Sequence, residues 1–184
     1  MNFGGIAMGD ILAVTQLGDP VLRDHAQPVA NIWEARIQSL IDDLMATVIE
    51  KNGVGIAAPQ VGYSDRILVI ASRPSIRYPA APEMEPTAMI NPKIIGKSEE
   101  MVADWEGCLS VPGIRGIVNR YQAIEVEYTS RDGHLQHREL TGFVARIFQH
   151  EYDHLEGIIF LDRVADSHSM MTEDEYQKRI VFQS

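Results

Sequence analysis

The sequence predicts an α+β fold, with mostly antiparallel β-sheets packed around a helix in the C-terminal third and an amphipathic helix near the N-terminal end. Three observations carry that reading. Ile37, Leu40, Ile41, Leu44, Met45, Val48 and Ile49 fall at i, i+3, i+4, i+7, i+8, i+11 and i+12, a sustained helical stripe that covers a core. Ile124, Val126 and Tyr128 alternate with Glu125 and Glu127, a half-buried strand, and Asp132-Gly133 then marks a hairpin turn into residues 134–140. A last helix fits between Thr141, which caps it, and Gly157, which stops it.

Taken in order, residues 1–13 form a loose, glycine-rich N-terminal arm, and Asp19-Pro20-Val21-Leu22-Arg23 reads as a turn into a short extended or helical piece. The amphipathic helix follows, with Lys51 and Gly53 as stop signals. The small residues of Gly53-Val54-Gly55-Ile56-Ala57-Ala58-Pro59-Gln60 let a backbone or a ligand approach closely. The bland alternative is a tight turn with Gln60 merely solvated. Ile67-Leu68-Val69-Ile70-Ala71 reads as a buried strand. Residues 72–87, with Pro74, Pro79, Pro82 and Pro86, form a surface excursion and not a linker, so residues 1–184 read as one domain with a tail over 166–184.

Composition narrows the functions. A chain of 184 residues, 45% hydrophobic and 23% charged, suits a soluble globular domain. Its net charge of −10 argues against broad binding to nucleic acid or anionic membranes. No apolar run approaches the roughly 18 residues of a membrane span, and Met1-Asn2-Phe3-Gly4-Gly5 lacks the basic start of a signal peptide. The single cysteine, Cys108, forms no intrachain disulfide and fits a reducing compartment.

The chemistry concentrates in His150-Glu151-Tyr152-Asp153-His154. Positions i and i+4 share a helix face, so His150 and His154 can close on one ion, and Glu151 lies about 100° round the helix, within reach of a water on it. The fold then becomes one of sheets around a central metal-binding helix. Hydrolytic metal sites take three protein ligands and keep one position open. Asp153 and Glu156 share the ligand face less well than the histidines do. That leaves Cys108, in Glu106-Gly107-Cys108-Leu109-Ser110-Val111-Pro112-Gly113, as the natural third ligand, bound as thiolate. His25, His134, His137 and His168 have no such company and read as surface residues.

Three segments in order, Gly53 to Gln60, Glu106 to Ser110 and Gln149 to His154, closely resemble the signature segments of the peptide deformylase family, in its bacterial-type branch, over residues 14–165. The resemblance implies a metal-dependent amidohydrolase that removes the formyl group from the N-terminal methionine of new proteins and releases formate. It implies Cys108, His150 and His154 as ligands of one divalent ion, Fe2+ first and Zn2+, Ni2+ or Co2+ as alternatives. Glu151 is then the general base and acid, and the Gln60 side chain and the Leu109 N–H are the oxyanion donors. Gly55, Ile56, Gly107 and Arg115 become peptide contacts, with Ile56 and residues of the histidine helix as walls of an apolar methionine pocket. Glu106 and Arg120 resemble a pair that braces the cysteine loop, although an exposed pair contributes almost nothing. Arg146 stands one turn before His150, where an apolar pocket residue is expected.

The expected partners are N-formylmethionyl peptides and nascent chains, with no membrane and no direct nucleic-acid binding. A transient ribosome contact is the most that the short, mixed-charge stretch Glu173 to Arg179 suggests. The expected location is a bacterial cytoplasm, with an organellar or virus-encoded copy as alternatives. Two other readings compete. A zincin-type peptidase takes its third ligand downstream of the helix, where this chain has only His168 and scattered acids. A binding module without hydrolysis finds no support, since the ligands, Glu151 and Gln60 are all present.

Overall fold

The computed structural model describes residues 9–75 and 78–182, so the first part of the expected N-terminal arm lies outside the described residues. Helix α1 spans Ala35–Glu50 and buries Ile37, Leu40, Ile41, Leu44, Met45 and Val48, the predicted stripe. Ile49 does not follow it and is 41% exposed. It sits one residue, about 100°, beyond Val48, and the chain turns away immediately after, at Asn52 with φ 51°.

Two antiparallel sheets follow. One has the order β1 (Gly55–Ala57), β2 (Ile67–Ile70), β3 (Thr87–Lys97), β6 (Ala123–Thr129), β7 (Leu135–Thr141). The other has the order β4 (Met101–Cys108), β5 (Val111–Tyr121), β8 (Met170–Thr172). Strand β2 is buried along its whole length because both faces of its sheet are covered. Ile67 and Val69 pack toward α1. Leu68 and Ile70, two-residue neighbours on the other face, pack toward α2 (Gly142–Leu155). Helix α2 also touches β5 of the second sheet.

The β6–β7 hairpin pairs Ala123 with Thr141 through to Thr129 with Leu135, and its turn carries Gly133 at φ 79°. Thr141 occupies the N-cap position of α2 with extended backbone, but its hydroxyl makes no capping bond. Gly157, at φ 70°, stops the helix where a Cβ would meet the Arg23 carbonyl at 2.5 Å. Pro92 lies inside β3, where the register with β6 shifts between Ile90 and Lys93, an irregularity that accommodates the missing donor.

One expectation needs correction. The arm is not loose over its described part, because Asp10 N–H donates to Asp43 Oδ1 and Leu12 N–H to Thr47 Oγ1 on α1. The C-terminal stretch docks through β8, which pairs with β5 at Ile114, Arg115 and Gly116, and α3 (Glu173–Tyr176) follows. Both attachments use backbone donors, which leave little trace in side-chain pattern.

Candidate metal centre

Cys108 ends β4, just before a two-residue turn into β5, and His150 and His154 stand on the buried face of α2. The fold brings one ligand atom of each of the three within 4.8 Å of one another. Cys108 Sγ lies 3.3 Å from His154 Nε2 and accepts from Gln60 Nε2 and Ser110 N–H, both at 3.4 Å. A soft thiolate beside two imidazoles is a donor set for first-row divalent cations. His154 Nδ1 and Glu151 Oε2, both buried, have no hydrogen-bond partner among the described residues. Convergent donors beside unpaired buried polar atoms fit a bound cation.

Behind the ligands lies an ion network. His150 Nδ1 sits 2.9 Å from Glu106 Oε2. Arg120 grips both carboxylate oxygens of Glu106, at 2.9 and 3.0 Å, and Arg146 adds a third donor at 2.8 Å. Burial pushes the Glu106 carboxyl up, but the His150 bond and Arg120 more than offset that and hold it below the usual carboxylate range. An anionic Glu106 fixes the proton of His150 on Nδ1 and leaves Nε2 free to ligate. Burial, with His150 and Arg120 nearby, holds His154 well below its ordinary value and favours its neutral form, whereas at His150 burial is overcome by Cys108 and Glu106, which raise it. Arg120 also reaches Asp153 on α2, which in turn binds Arg163.

Glu151 is buried beside the histidines, and burial pushes its carboxyl up to about 7. Gly55 on β1 makes room for it, since a Cβ there would lie 2.6 Å from Glu151 Oε1. Gln60 is 1% exposed, on the 3-10 turn Ala58–Val61, so it is not merely solvated. Its Oε1 accepts from Ala57 N–H at 2.8 Å, which orients the amide and aims Nε2 at Cys108 and at Ser110 Oγ.

A cavity of about 200 Å3 opens over this cluster. Gly55, Gly107, Leu109, Arg115, Gln60 and Glu151 all border it, together with Cys108 and His150. Ile56 does not. On β1 its side chain points opposite to Gly55 and joins the core under α1, away from the cavity. Ile147 and Phe143 of α2 stand there instead. Arg146 borders the cavity as well, its guanidinium taken up by Glu106 and the carbonyls of Val118 and Val102. Arg115 is 1% exposed, its donors bonded to Glu173 and Tyr78. Gly107 is what lets it pass, because a Cβ there would meet Arg115 Cζ at 2.9 Å. The remaining histidines, His25, His134, His137 and His168, are exposed.

Residues 11–170 match the family model for polypeptide deformylase. The chain belongs to the peptide deformylase family. Peptide deformylase 2 of Nostoc sp. is 63% identical over 171 residues, covering 93% of this chain and 96% of the relative. Peptide deformylase 2 of Shewanella oneidensis is 45% identical over 152 residues, 83% of each chain. Among solved structures, the Met-Ala-Ser-bound class I type b peptide deformylase of Acinetobacter baumannii superposes with a TM-score of 0.83 at 45% identity, over 85% of this chain and 100% of that one. The actinonin complex of a peptide deformylase from Synechococcus elongatus gives 0.77 at 33% identity, over 94% and 90%. As a peptide deformylase, the chain is a metal-dependent hydrolase that removes the formyl group from N-terminal methionine.

Sequence reasoning underrated the Glu106–Arg120–Asp153 network, whose burial no local pattern announces, and left Tyr78, Trp105 and Glu173 at the cavity unassigned. Arg146, an arginine where a pocket residue was expected, was the one signal of a buried acid partner.

Proposed function

We propose that Cys108, His150 and His154 hold one divalent cation, Fe2+ foremost, and that Glu151, Gln60 and Leu109 carry the hydrolysis of the formyl amide. The observation that carries this reading is the convergence of the three donors within 4.8 Å beside a cavity that Cys108, His150 and Glu151 border. Held there, a divalent cation would supply Lewis acidity of the kind that lowers the pKa of water to about 7. Glu151 takes a proton from the attacking water and later delivers it to the leaving amine, releasing formate and a free N-terminus. A buried carboxyl whose Oε2 has no hydrogen-bond partner among the described residues suits both directions of that transfer. Gln60 Nε2 and the Leu109 N–H donate to the oxygen that gains charge, each worth about 2.7–4 kcal/mol of barrier. The peptide adds as a strand alongside Gly55 and residues 110–115, which gives affinity without reading sequence.

The substrates in this reading are nascent chains in a bacterial cytoplasm. The bacterial relatives support that location, and among the described residues no helix is long and apolar enough to cross a membrane. A transient contact is the most that the ribosome would find here, since α3 and the turns after it carry Glu173, Asp174 and Glu175 beside Lys178 and Arg179. The test pairs metal content with formate release from formyl-Met-Ala-Ser, under anaerobic conditions, for the parent and Cys108→Ser. We expect about one metal ion and robust turnover in the parent, and loss of both in the variant. Cleavage of internal peptide bonds without formate would point to a peptidase instead.

A further inference from the structure

The surface excursion between β2 and β3 sends one side chain back into the site. Tyr78 borders the catalytic cavity, although the segment that carries it lies outside the three signature stretches. Its ring packs on Phe143, centroids 5.0 Å apart. Phe143 stands in the first turn of α2, seven residues before His150 and so about 10 Å along the helix axis. Between them on the cavity wall come Arg146 and Ile147. The face of α2 thus runs from the ligand cluster to an aromatic pair that stands across its far end.

Tyr78 is also pinned. Its hydroxyl accepts from Arg115 Nη1 at 2.7 Å, and Arg115 is itself held by Glu173 through Nε at 2.6 Å. Its N–H donates to the Ser75 carbonyl and its carbonyl accepts from Ser75 and Ala81, all at 3.1 Å. A ring fixed from both backbone and hydroxyl cannot swing aside without breaking several bonds. We propose that Tyr78 is a specificity-determining residue that closes the far end of the methionine pocket and so limits the length of the first side chain. This rests on the cavity being the formyl-methionine site. A thioether that ends against two aromatic rings is favoured, since sulfur packs well at ring edges. A side chain one methylene longer meets the Tyr78 ring.

The experiment compares formyl-Met-Ala-Ser with the same tripeptide carrying ethionine, one methylene longer, in the metal-loaded enzyme. The parent is expected to prefer methionine by about tenfold or more in kcat/KM, a difference of the size that one misfitting methylene produces, carried mainly in KM. Tyr78→Ala should bring the two substrates within about twofold of each other, while Tyr78→Phe, which keeps the ring, should hold the parent's preference. Should the alanine variant fail to fold, Tyr78→Leu and the parent's own preference still decide. Equal use of both peptides by the parent, or an unchanged preference in Tyr78→Ala, overturns the inference alone. No formate from either peptide in the parent overturns the site assignment beneath it.

Discussion

Gly55→Ala tests how closely the Glu151 carboxylate, the proposed base, is fitted to its neighbouring strand. The added Cβ would lie 2.6 Å from Glu151 Oε1, 2.7 Å from Ile147 Cγ2 and 2.8 Å from Glu151 Cγ, all inside van der Waals contact. Relief requires Glu151 or β1 to move by roughly 1 Å, given that carbon contacts settle near 3.5–4.0 Å. A displacement of about 1 Å in a positioned catalytic group costs on the order of 10²-fold in rate. The backbone at Gly55 is not in the left-handed region, so alanine adds no φ strain there. Stability should therefore fall by only about 1–3 kcal/mol, the usual effect of overpacking. The assay is kcat and KM for formate release, with metal content and thermal unfolding measured on the same preparation. We expect kcat down about 100-fold with metal retained. Parental kcat in a folded variant would refute the claim that β1 and Glu151 are in contact by design of the fold.

Three further outcomes follow from the same geometry. Arg120→Ala strips Glu106 and Asp153 of a buried partner, so stability should drop by about 3–5 kcal/mol and metal affinity by about 10–100-fold through His150, read by chemical denaturation and metal titration. Gln60→Ala should lower kcat by roughly 10²–10³ more than it lowers metal content, as formate kinetics on metal-saturated enzyme would register. Asp162, which takes Arg23 and the Ile159 N–H as partners, titrates below its ordinary value: burial opposes that, and the Arg23 bond overcomes it. Its stabilisation is present above about pH 4 and lost as pH falls through the lowered folded value. Asp162→Asn should thus cost up to about 1 kcal/mol at neutral pH, as for a partly exposed pair, and nothing in strong acid, by urea melts across pH.

The ligand set was legible because two spacings are rigid. The i, i+4 histidines of α2 and the tightly written Gly-Cys-Leu-Ser turn leave little freedom once the helix is buried. Helix α1 and the β6–β7 hairpin were legible through period alone. Strands β4 and β5 were not, since half of β4 faces solvent and its sequence, Met-Val-Ala-Asp-Trp-Glu, has no clean alternation. Ile56 misled for a related reason. In a three-residue strand the side chains divide between faces, and a signature position said nothing about which face borders the cavity. Of the Glu106 network only the Arg120 pair was legible, through the resemblance, because the Arg120–Asp153 and Arg146–Glu106 contacts span 33 and 40 residues and only the fold brings them together.

The most direct test of the central claim is Glu151→Gln, assayed for metal and for formate release together. The isosteric amide keeps the fold and the three ligands but cannot accept the proton of the attacking water. We expect about one metal ion per chain, unchanged from the parent, with turnover reduced by about 10²–10⁴, the contribution of a positioned general base. Near-parental turnover with the metal in place would contradict it.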